Sequence, residues 1–132
     1  MYNAHVYAFY YIHFAKIADG VLTKEELHTI ADKIALWVMN DFSRDQLEAK
    51  VRSIVQESKQ WYDSLDPKAQ EEEIIKICDW LKTHLSEFGD YHKDFLQDLV
   101  DIARADVNFS QKEKDLISHT AEQWGIEFEI AG

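Results

Sequence analysis

Two short stretches of the chain carry the same acidic pattern. Ile17 to Leu27 reads IADGVLTKEEL and Arg104 to Lys114 reads RADVNFSQKEK. In each, a helical pattern ends in Ala-Asp, a hydrophobic residue follows three positions after the Asp, a hydroxyl residue comes next, and a Glu stands seven positions after the Asp. An offset of 87 residues relates both Asp19 to Asp106 and Glu26 to Glu113, so the two stretches read as copies of one unit. Carboxylate oxygens at this spacing are suited to a hard divalent cation, calcium or magnesium rather than zinc. Asp19, Glu26, Asp106 and Glu113 are therefore the candidate metal ligands. The spacing imitates the last part of an EF-hand loop, but its first and third positions would be Ala15 and Ile17, or Ile102 and Arg104, which lack the needed oxygens.

A second reading of the same acids needs no metal. Thr23 with Glu26 and Ser110 with Glu113 each match a capping box, in which the hydroxyl and the glutamate satisfy the first backbone N–H groups of a helix reciprocally. Asp19 continues the apolar stripe of Ala8, Ile12 and Ala15, and Asp106 that of Phe95, Leu99 and Ile102, so both point partly inward. Each also closes a helix at the negative end of its macrodipole, where a carboxylate needs a compensating partner. The N–H groups of the next helix could be that partner as well as a cation could.

The elements that position these acids are legible from apolar spacing. Six helices are predicted: about 3–18, 23–39, 43–62, 67–88, 90–105 and 110–124. Ser43 to Gln46 is a third capping-box match, Asp66 precedes Pro67 as a cap, and Gly125 stops the last helix. The first helix has a face broad enough to be central. Cys78 falls among core positions between Ile74 and Leu81, which predicts a buried and unreactive thiol. His13 reads as a packing histidine. Short connections predict one compact all-α bundle, with 1–132 as a single domain containing two pseudo-repeated helix-turn-helix units.

Composition narrows the function classes. The chain has 132 residues, 46% hydrophobic and 30% charged, with one Pro, four Gly and one Cys. Its net charge of −11 opposes binding to nucleic acid or anionic membranes. One cysteine excludes an internal disulfide and multi-thiolate metal centres. His5, His13 and Lys16 interrupt the apolar N-terminal stretch, so neither a signal peptide nor membrane insertion is expected, and the expected location is cytoplasmic. Only Glu25-Glu26-Leu27-His28 offers a Glu-x-x-His pattern, where a di-iron bundle needs two. Phosphate loops, nucleophile elbows and zinc-type histidine pairs are absent from the sequence, and no carboxylate pair is selected by spacing for acid–base catalysis.

The charge is uneven. From Asp63 to Asp106 there are twelve acids against five bases. Asp90, Asp94, Asp98 and Asp101 line one face of the fifth helix, which is either a solvated face or a docking surface for a basic protein partner.

The turn from Asp19 to Leu27, its degenerate partner from Asp106 to Glu113 and the all-helical frame resemble the tellurite-resistance TerB-like family. The resemblance covers most of the chain, and its specific part is short. It implies a bundle of two related halves, a divalent-metal site at the acidic turns, a non-enzymatic role, and a place in bacterial tellurite resistance and stress response. Val107 and Lys114 depart from the glycine and leucine of the first copy, so the two turns are not equivalent.

Overall fold

A helix that is apolar all round can only be stable when other elements surround it. In the computed structural model, which describes residues 3–17, 20–87, 91–105 and 109–130, the helix α1 (Asn3–Lys16) has that character. Phe9, Tyr10, Tyr11, Ile12 and Phe14 are fully buried, and the helix packs against each of the other five. Those are α2 (Lys24–Val38), α3 (Arg44–Asp63), α4 (Pro67–Glu87), α5 (His92–Ala103) and α6 (Gln111–Trp124). The protein is thus an all-α bundle of six helices, with no strand among the described residues.

The remaining helices are amphipathic and turn one stripe toward α1. Ile30, Ile34 and Val38 do so from α2, Ile74, Ile77, Leu81 and Leu85 from α4, and Phe95, Leu96 and Leu99 from α5. Aromatic rings fill the spaces between them. Phe95 is the hub of one cluster, with Tyr7, Tyr10, Tyr11 and Trp124 all within 6 Å of it, ring centre to ring centre.

The helix-turn-helix repeat extends past the turns. At the same offset of 87, Ile30 of α2 corresponds to Ile117 of α6, both fully buried, and Trp37 corresponds to Trp124. The units α1–α2 and α5–α6 thus share these positions as well as their capped second-helix starts.

Two of the three expected capping boxes form. Thr23 and Ser110 share the same backbone angles, φ −73° and ψ 160°, and each hydroxyl accepts from the third helical N–H at 3.1 Å. Glu26 and Glu113 reach back to the cap N–H groups at 2.9 Å. The third does not form, because the Gln46 N–H goes to the Ser43 carbonyl at 3.0 Å, so the helix starts on backbone bonds alone. Asp66 caps α4 by accepting from the Ala69 N–H at 2.8 Å. Gly125 stops α6 in the left-handed region, at φ 69°, where a side chain would be strained. Cys78 is half-buried rather than buried, since the stripe of α4 turns it to the edge of the core; burial still pushes its thiol up, against the Trp124 N–H.

These caps predict a contrast that urea denaturation can read. Thr23→Ala and Ser110→Ala should each cost about 1 kcal/mol, while Ser43→Ala should leave the midpoint unchanged, because only the first two hydroxyls carry a bond.

Candidate functional site

Of the four candidate metal ligands, Asp19 and Asp106 lie outside the described residues, and so does Asp90 of the acidic face. Glu26 and Glu113 are described and strongly buried, at 4% and 1% exposure. Each opens a helix, Glu26 in α2 and Glu113 in α6, with one carboxylate oxygen, Oε1, held by the cap N–H. The two turns thus present matching buried carboxylates in matching frames. Among the described residues, no three His, Cys, Asp or Glu side chains come together as a metal would require. The donor chemistry suits a hard cation, since a shielded carboxylate oxygen is the ligand that calcium and magnesium prefer.

The acidic face of α5 is shaped differently from a row of solvated charges. Among its described members Asp94 is exposed and Asp98 and Asp101 are half-buried, and all three line a cleft of about 550 Å³ between α2, α4 and α5. Asp98 Oδ2 accepts from the Tyr11 hydroxyl at 2.6 Å and from the Trp37 N–H at 3.0 Å. The Trp37 N–H is shared, because it also reaches the Tyr11 oxygen at 2.9 Å. Lys33 Nζ from α2 then closes the network, 2.6 Å from Asp101 and 3.9 Å from Asp98. Gln97 donates to the other oxygen of Asp101 at 3.0 Å.

The electrostatics follow from burial. Desolvation pushes the Asp98 carboxyl up to about 6, although the Tyr11 and Trp37 hydrogen bonds and the Lys33 charge all favour its anion. Burial alone would lower Lys33, but the hydrogen bond and charge of Asp101, with the charge of Asp98, outweigh it and hold the ammonium above its usual value. Tyr11 is pushed well up, first by burial and then by the Asp98 charge, so it remains a donor. On the far wall Tyr7, raised to about 12 by burial, meets His84 Nε2 at 2.9 Å, and His84 stacks on Trp80 at 4.2 Å between centres. His13, expected as a packing histidine, pairs with the Tyr62 hydroxyl at 3.0 Å and is lowered by burial.

Sequence reasoning marked Asp98 and Asp101 but missed Tyr11, Trp37, Lys33, Tyr7 and His84. A signal for Tyr11 was present. It stands 87 residues from Asp98, the offset of the repeat, so the two occupy equivalent positions of the two units.

A family model described as tellurite resistance protein TerB matches residues 7–129, nearly the whole chain. No curated protein and no solved structure matches it. Among the described residues, no helix is long and apolar enough to cross a membrane.

The buried carboxyl yields a pH-dependent outcome. Asp98 titrates near 6 when folded and near its ordinary value of about 3.9 when unfolded, so between these values the folded state holds the extra proton. Its contribution to stability therefore falls as pH rises through that window. Asp98→Asn is silent there, so wild type should gain on the variant by about 2 kcal/mol as pH drops from 7.5 to 4.5. Thermal melts of both across that range measure the gap, and a gap independent of pH would contradict the burial argument.

Proposed function

Because the chain belongs to the TerB family of tellurite resistance proteins, we propose that it acts as a non-enzymatic tellurite-resistance and stress module. It takes a divalent cation, calcium or magnesium rather than zinc, at two acidic turns, through Asp19 with Glu26 and Asp106 with Glu113. The supporting observation is the duplicated geometry of the glutamates. Two carboxylates 87 residues apart are buried to 4% and 1% exposure in frames that agree in both backbone angles and both hydrogen-bond lengths. Shielded carboxylate oxygens held in a fixed direction are the ligand type that a hard divalent cation takes. When bound, such an ion supplies charge compensation at the helix junctions. The chain's own part is to fix one oxygen of each glutamate by its cap, which sets the direction of the carboxylate.

The alternative, a basic partner docked on the 90–105 face, draws less support from the geometry. Lys33 already pairs with Asp101, and the Asp98 oxygens face Tyr11, Trp37 and Lys33, which leaves Asp94 as the exposed acid among the described members of that face.

Thermal melts with millimolar Ca²⁺, Mg²⁺, Mn²⁺ or Zn²⁺ test the metal reading. Wild type should gain several degrees with calcium or magnesium, as expected for a ligand well above its Kd. Asp19→Asn and Asp106→Asn should reduce that gain. Glu26→Gln and Glu113→Gln should reduce it too while keeping the apo melting temperature, since glutamine still completes a capping box. A wild type indifferent to every ion, or variants that keep the full gain, would overturn the proposal.

A further inference from the structure

The seam between α2 and α3 does not close. Three residues of α2 at four-residue spacing, Leu27, Ala31 and Ala35, face three of α3 at the same spacing, Leu47, Val51 and Val55. Between these ridges runs an open groove of about 780 Å³. Val51 and Val55 are buried in its floor, and the other four are half-buried, so a continuous apolar strip meets solvent. Two alanines make the strip shallow on one side, where larger side chains would have filled the seam.

The rim of the groove has the opposite sign from the rest of the molecule. Lys24, Arg44, Arg52 and Lys59 flank it, against Asp32 and Glu48, on a chain whose net charge is −11. Arg52 bonds Glu48 at 3.0 Å, and Lys59 bonds Asp63 at 2.9 Å. Lys24 and Arg44 have no ion-pair partner among the described residues. These cations are spread along the groove. Lys24 opens α2, Lys59 lies one turn before the end of α3, Arg44 opens α3, and Arg52 stands mid-helix.

From this pattern we propose that the α2–α3 groove docks an amphipathic helix of a partner protein whose flanks are acidic. The three-residue ridges span about 12 Å, two turns of a helix laid along them, and apolar residues at i, i+4 and i+7 of that helix would seat between them. Distributed cations select distributed carboxylates, whereas a single-headed acyl anion would call for cations gathered at one end. The surface is separate from the α5 cleft and borders the first acidic turn, which contributes Lys24 and Leu27 to it.

A fluorescein-labelled synthetic helix of about sixteen residues, with leucines at i, i+4 and i+7 and glutamates on both flanks, is the probe. Fluorescence anisotropy with the full chain should give a Kd on the order of 10–100 μM at low salt that weakens as salt is added. Amide resonances of Ala31, Ala35, Val51 and Val55 should shift. The double variant Lys24→Glu with Arg52→Glu should weaken binding at least tenfold by the same argument. Lys68→Glu, an exposed charge change on α4, should leave it unchanged. The proposal is overturned if no shift appears up to millimolar peptide, or if a probe with lysines for glutamates binds as tightly. It is likewise overturned if decanoate but not the peptide shifts those amides, or if sedimentation shows two copies of the chain joined through this face.

Discussion

Burying a helix on all sides puts a strict demand on any polar atom it carries. α1 brings three tyrosines, Tyr7, Tyr10 and Tyr11, into the middle of the bundle, and each phenol needs a hydrogen-bond partner there or costs a desolvation penalty. The surrounding helices supply one each. α6 presents Thr120 to Tyr10 at 2.6 Å, α4 presents His84 to Tyr7, and α5 presents Asp98 to Tyr11. No buried side-chain nitrogen or oxygen among the described residues is left without a partner. The polar side chains that look odd on apolar stripes are thus answers to the phenols of α1, and they fix the rotation of three helices about it.

The strongest of these answers creates the cleft. Asp98 meets the α1–α2 unit through Tyr11, and its charge draws in Trp37 and Lys33 from α2. The equivalent tryptophan of the second copy, Trp124, spends its N–H differently, on the Cys78 carbonyl of α4 at 3.0 Å. Matching positions of the two units thus have separate hydrogen-bond partners. The same divergence is visible at the turns, where the Thr23 and Ser110 frames agree while the flanking glycine and leucine of the first copy are Val107 and Lys114 in the second.

Much of this was legible from residue types and spacing, for definite reasons. Helix starts were readable at Thr23, Ser110 and Asp66 because capping is local, involving groups three residues apart. It failed at Ser43, where a backbone bond took the N–H that the hydroxyl would have used. The all-α bundle, its central first helix and the Glu26 and Glu113 frames followed from periodicity and from the repeat. The acidic face of α5 was seen as a line of charges. That Asp98 and Asp101 turn inward depends on Tyr11 and Lys33, 87 and 68 residues away, and no local pattern encodes such a meeting. The α2–α3 groove was invisible for a related reason, since a seam left open is a property of two helices and of the alanines between them.

The central helix also leads the other five in chain order, and this has a cost during synthesis. Its phenol Tyr10 and the Thr120 hydroxyl are 110 residues apart, so this partner is made well after it. At about 5–20 residues per second, α1 leaves the ribosome as an apolar helix and waits for several seconds or more before α6 can cover it. Until then its apolar surface is covered only as far as α2 and α3, the next helices made and both packed against it, have docked.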